Sequence, residues 1–137
     1  NINGTIFLDY RCQSDFRAFN SIVYGHHMKS GEMFGTLSNY KDQEYYDEHP
    51  VMYLLTPGQN YKIELVAGYI TPSDSDTYSL PNTAEEKKAF LEHALQESTF
   101  ISSVSINEMD SFVTLSTCSY EYENARYVVV GRLVAVE

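Results

Sequence analysis

Cys118 closes the run "FVTLSTC" (112–118) and is followed by the acidic loop "SYEYEN". A thiol with a pKa near ~8.5 is only a few per cent thiolate at neutral pH, so a nucleophilic cysteine needs a base or a cation beside it. Pleating puts Phe112, Thr114, Ser116 and Cys118 on one side of the strand, and Val113, Leu115 and Thr117 on the other. A strand end holds a side chain rigidly while the next loop leaves it accessible, which suits a reactive group. The ordinary alternative for a lone cysteine is a small buried hydrophobe.

Four histidines could supply the base: His26, His27, His49 and His93. His93 falls in a helical stretch at an amphipathic boundary and His49 precedes Pro50 in a loop, so both read as solvated side chains. His26 and His27 end the strand candidate "NSIVYGHHM" and point to opposite faces, so only one of them can look into a given cleft. Ile22, Tyr24 and His26 share one face, and Val23, Gly25 and His27 share the other; the pattern does not choose between the histidines. An adjacent pair is also a poor chelate, and no Cys or carboxylate has convincing ligand spacing, so no metal or cofactor is expected. The cation is Arg126, which opens the strand after the cysteine loop. If strands 112–118 and 126–136 pair as antiparallel neighbours, it lies near Cys118, where a guanidinium stabilises an oxyanion and favours a thiolate. The alternative is a surface arginine paired with Glu121 or Glu123.

The elements that must position these groups are mostly strands. "GTIFLDY" (4–10) and "NSIVYGHHM" (20–28) read as strands, and "VMYLLT" and "YKIELVAGYI" flank "PGQN" as a hairpin. Residues 30–50 read as a surface excursion with a short helix capped by Ser38 and stopped at Pro50. "TPSDSDTYSLPN" is loop by composition. The clearest helix is 83–98: Thr83 and Glu86 form a capping box, and Phe90, Leu91, Ala94 and Leu95 fall on one face. "SVSI", "FVTLSTC" and "ARYVVVGRLVAV" then read as three strands. About seven strands and one principal helix make a mostly β domain, a small closed or half-closed barrel carrying a helix on its outside. With 12 tyrosines and no tryptophan, the composition also favours strands over a helix bundle.

At 137 residues the chain suits one domain, 1–137, with no internal repeat or linker. Its 19 acidic and 9 basic residues give a formal charge of −10, which repels phosphate backbones and argues against nucleic-acid binding. There is no run of about 18 apolar residues and no signal peptide at the start shown, although an anchor upstream is compatible with this. Cys12 and Cys118 are too few for a disulfide framework, and Cys12 reads as structural or incidental.

In chain order the segments resemble a family. "NSIVYGHHM" followed by "GEMFGTLSNY", and "TLSTC" followed by "NARYVVVGRL", look like a class B sortase, a cysteine transpeptidase of Gram-positive cell surfaces. "IFLDYR", "EYYDEHP" and "AGYITP" extend the resemblance through most of the chain, and the helix at 83–98 resembles the one that separates class B from class A. The resemblance implies Cys118 as nucleophile, His26 as its histidine and Arg126 as the arginine, with Tyr24, Tyr69 and Ser116 contacting substrate. It further implies a closed eight-stranded barrel, about six strands of which fall in this chain, with the main helix between the strands near 61–70 and 112–118. The family's N-terminal helices, first two strands and membrane anchor would precede "IFLDYR". Implied partners are surface proteins with an LPxTG- or NPxTN-like sorting signal, cleaved after its threonine, and a peptidoglycan precursor amine. The implied location is the extracellular face of the cell membrane. Tyr120 stands two residues after Cys118, where some relatives have aspartate, so an Asp-dependent triad is not implied. A papain-like hydrolase, which usually has its cysteine before its histidine, and a non-catalytic barrel bridged through Cys12 and Cys118 are the rival readings.

Overall fold

The computed structural model describes residues 6–9, 19–24, 37–72, 81–116 and 125–136. Six strands form one sheet: β1 (Ile6–Asp9), β2 (Asn20–Tyr24), β3 (Val51–Leu55), β4 (Asn60–Pro72), β5 (Phe112–Ser116) and β6 (Ala125–Val136). Their order is β1-β3-β4-β6-β5-β2. The outer pairs, β1 with β3 and β2 with β5, are parallel, and the inner three pairings are antiparallel. A turn of 3-10 helix (Leu37–Lys41) and the short helix α1 (Gln43–Glu48) precede β3, and the long helix α2 (Ala84–Glu97) stands between β4 and β5. The fold is therefore mostly β with one main helix in the expected interval. β1 and β2 end the strand order without pairing to each other, so the sheet is open among the described residues where a closed barrel was expected.

Each face of the sheet builds its own apolar cluster. Val23, Met52, Leu54, Ile63, Leu65, Val113, Leu115, Tyr127 and Val129 pack on one face against Leu37, Tyr40, Tyr46 and Phe100. On the other, Val66, Ala67, Tyr69, Phe112, Val128 and Val130 pack against Phe90, Leu91 and Ala94 of α2. Strands buried on both faces read as continuous apolar runs, and "YVVV" (127–130) is fully buried on that account.

β4 changes face partway along. Leu65 pairs with Gly131 but Ala67 pairs with Val130, so Val66 is an extra residue. Ile63 and Leu65 belong to the first cluster, while Val66, Ala67 and Tyr69 all belong to the α2 cluster. The bulge thus reverses the pleat parity of everything after it.

Four local expectations are corrected. "SVSI" (103–106) is no strand; alternate residues of the segment are half-buried, but it has no ladder partner among the described residues. α1 starts after Asp42, not at Ser38, which lies inside the 3-10 turn, and Asp42 makes no side-chain cap hydrogen bond. Leu95 is 49% exposed. At ~100° per residue it projects about 40° beyond Leu91, past the edge of the stripe formed by Phe90, Leu91 and Ala94. His49 is half-buried as the C-cap of α1: its N–H donates to Tyr45 and Tyr46, its ring stacks on Tyr45 at 4.3 Å, and its carbonyl accepts from the Tyr40 hydroxyl at 2.8 Å.

The start of α2 is as its sequence dictates. The Glu86 N–H donates to Thr83 Oγ1 at 3.1 Å, and the Glu86 carboxylate accepts from the amides of Asn82 (2.8 Å) and Thr83 (3.3 Å). Those amide hydrogen bonds hold the Glu86 carboxyl below its usual range. Thr83→Ala leaves an amide of the first turn without its acceptor and is expected to cost about 1 kcal/mol, read as a lower urea midpoint at unchanged slope.

Candidate active site

Four strands meet at the end of the sheet where β5 stops. Tyr24 of β2 pairs with Ser116 of β5, Ser116 with Val128 of β6, and Val128 with Tyr69 of β4. Three residues named from the sequence, Tyr24, Ser116 and Tyr69, therefore occupy one transverse row. Ser116 is fully buried and Tyr69 is 1% exposed, so both belong to the floor of this end of the sheet. The row beyond holds Arg126, which pairs with Thr71. Arg126 is half-buried and Thr71 buried. Register and parity put Arg126, Val128, Tyr69, Thr71 and Ser116 on the α2 side of the sheet, opposite Tyr127.

α2 borders this row. His93 meets the Tyr69 ring edge-on at 5.7 Å, so although exposed it is an aromatic neighbour of the row, a contact that its helical spacing did not announce. Further along the same face, the Thr114 hydroxyl donates to Asn20 Oδ1 at 2.9 Å in a fully buried setting. The Asn20 amide nitrogen has no acceptor among the described residues. At the opposite end of the face Arg132 donates to Glu64 through Nε (2.9 Å) and Nη2, and to the Ser105 carbonyl at 3.2 Å.

Behind Arg126, on the first face, a hydroxyl network ties the strands to the chain after α2. Thr99 Oγ1 lies 2.8 Å from the Tyr127 hydroxyl and 2.8 Å from the Tyr40 carbonyl. Thr99 donates to the carbonyl and accepts from Tyr127, an arrangement in which every partner is satisfied. Burial pushes the Tyr127 hydroxyl up to about 12, and burial raises Tyr40 as well.

Cys118, His26, His27 and Cys12 lie outside the described residues, as do Glu121, Glu123 and the loop 117–124. Of Tyr24 the strand position is described. Among the described residues no group of three His, Cys, Asp or Glu side chains is placed to hold a metal, and no helix is long and apolar enough to cross a membrane. Thr71, the strand partner of Arg126, was not singled out from the sequence. Unbroken alternation would group residue 71 with Ile63 and Leu65, and only the bulge at Val66 brings it to the side of Arg126.

A family model described as a sortase domain matches residues 4–134. The chain is 37% identical over 135 residues to a protein named sortase B of Listeria monocytogenes, covering 96% of this chain and 54% of that protein. It is 29% identical over 137 residues to one of the same name from Staphylococcus aureus, covering 97% and 56% respectively. The chain thus spans about half the length of the curated relatives it matches. A solved Staphylococcus aureus sortase B–substrate complex superposes with a TM-score of 0.77 at 27% identity, covering 88% of this chain and 57% of that one.

The tyrosine network carries a pH signature. In the unfolded chain Tyr127 loses its proton near ~10, while in the fold it keeps it up to about 12, so the folded state binds more protons in that window. The associated stability is complete below pH ~10 and is lost as pH rises through about 12. Urea titrations from pH 9 to 12 should show this fall, and Tyr127→Phe should flatten it in part, with Tyr40 supplying the remainder.

Proposed function

The chain belongs to the sortase family, and from that premise we propose that it carries the catalytic part of a class B cysteine transpeptidase that anchors surface proteins to the cell wall. The match of the sortase domain to residues 4–134 carries the reading. Inside that span "YGHH", "TLSTC" and "NARYV" hold a histidine, a thiol and an arginine, the three groups that an acyl transfer of this kind uses. The ladder of β5 and β6 supports the pairing of two of them. Ser116 opposes Val128 in an antiparallel pair, so Arg126 lies two residues past the last described pair, at the end of the sheet toward which β5 runs.

The reaction is a two-step acyl exchange. The Cys118 thiolate attacks the threonine carbonyl carbon of an LPxTG- or NPxTN-like signal, and Arg126 with backbone N–H groups stabilises the oxyanion. The C–N bond breaks as His26 gives its proton to the leaving amine, and a thioester remains. An amine of a peptidoglycan precursor then attacks the thioester, forming a new C–N bond; His26 takes the amine proton and the thiolate leaves. Tyr24, Tyr69 and Ser116, which share one row of the sheet, are the residues we assign to substrate contact. Water in place of the amine gives hydrolysis as a side reaction. In the whole protein this domain works on the extracellular face of the cell membrane.

A quenched peptide panel carrying the two signal types, with and without diaminopimelate- or glycine-type amines, tests the reading. Cys118→Ala is expected to abolish cleavage, and a variant that keeps cleaving would refute the mechanism. Arg126→Ala should lower kcat by about 10²–10³-fold with the fold intact. Arg126→Lys should fail to restore it, because an ammonium lacks the planar fork of donors.

A further inference from the structure

β3 leaves β4 after Glu64, its last partner being Val51, so from Leu65 onward that edge of β4 has no strand beside it among the described residues. The chain after α2 takes the place of one. The Leu65 N–H donates to the Pro50 carbonyl (3.1 Å), and the Leu65 carbonyl accepts from Ser102 Oγ (2.7 Å). The Gly68 N–H donates to Ser98 Oγ (3.1 Å), and the Gly68 carbonyl accepts from the Thr99 N–H (2.7 Å). Three of these four backbone groups are thus satisfied by a strap, residues 98–102, and the fourth by Pro50.

Thr99 does more than close an edge. Its hydroxyl holds the Tyr127 hydroxyl on the first face and the Tyr40 carbonyl of the 3-10 turn. There is no slack at this junction: a Cβ on Gly68 would overlap the Tyr127 hydroxyl and stand 2.9 Å from Phe100 Cε2. Adjacent strand residues point to opposite faces, so a Tyr127 ring tied to Thr99 fixes the rotation of β6 that sends Arg126 to the other side, beside Thr71. The geometry assigns Thr99 as a positioning residue for Arg126, acting through Tyr127 and the backbone of Gly68. This rests on the reading of Arg126 as the oxyanion donor and adds to it what holds the guanidinium in place.

The test is a mutant cycle on the full-length protein. Thr99→Val keeps the shape and removes the hydroxyl, and it should lower kcat about tenfold with KM within about twofold. Thr99→Ser, which returns a hydroxyl, should recover most of that loss. In an Arg126→Ala background Thr99→Val should have no further effect on kcat, because its action passes through Arg126. Hydrogen exchange at the amides of 125–128 should quicken in Thr99→Val. Unchanged kcat in Thr99→Val, or losses that multiply in the double variant, would overturn the positioning role while Cys118-dependent turnover of the parent stands. A parent without such turnover would overturn both this role and the functional reading, so the two failures are told apart by the parent alone.

Discussion

One extra residue in β4 decides which side chains meet at the end of the sheet. Up to Leu65 the ladder between β4 and β6 runs in one register, and from Ala67 it runs one step on. Without Val66 as the bulge, the first register would continue and set Ile70, not Thr71, against Arg126. Tyr69 would then leave the α2 cluster, in which it is buried against His93, for the opposite face. A bulge is a local disruption of hydrogen bonding, and it persists only where its loose backbone groups find partners.

Those partners are short polar side chains in a place where little else would fit. Ser98, Thr99 and Ser102 each reach the backbone of β4 directly, and Ser102 also accepts from the Tyr46 hydroxyl at 3.1 Å. Each such bond adds only about 1 kcal/mol net, but leaving a buried carbonyl or amide unpaired costs about 1–3 kcal/mol. The asymmetry matters more than the sum, since it makes the alternative registers of β4 expensive. The aromatic stack of Tyr46 on Phe100, 4.4 Å between centroids, sets the strap against α1 from the other side.

What could be seen in the sequence was whatever depends on near neighbours or on motif order. The capping box of α2, the hairpin of β3 and β4, and the apolar runs of β5 and β6 all have local causes, and they appear where their residues place them. Alternation also sorted Ser116 and Thr114 from Val113 and Leu115 correctly, because β5 has no irregularity. The bulge was invisible: "ELVAGYI" has no residue that marks it, and its partners arrive from about thirty positions away. "SVSI" looked like a strand because the segment after the strap turns alternate residues inward, which has the period of a strand without its ladder. In the candidate site, spacing alone led to the expectation of a cysteine at a strand end, a position outside the described residues, and to Arg126, which stands at the start of β6. The choice of His26 over His27 came only from resemblance, because pleat parity treats the two alike.

The insertion between β4 and β5 therefore has two structural jobs joined at one residue. α2 covers one face of the sheet through Phe90, Leu91 and Ala94, and its C-cap, Ser98, is the first residue of the strap that closes the edge of β4. Ser98 Oγ accepts from the Gly68 amide while donating to the Phe100 carbonyl at 2.7 Å, so helix end, strand and strap share one hydroxyl. A helix that moved along the sheet would drag Ser98 and Thr99 with it, and Thr99 holds Tyr127, the neighbour of Arg126. A covering helix of this kind is mechanically coupled to Arg126 at the strand end, and side-chain hydroxyls carry that coupling beside the apolar packing of α2 on Tyr69 and Val128.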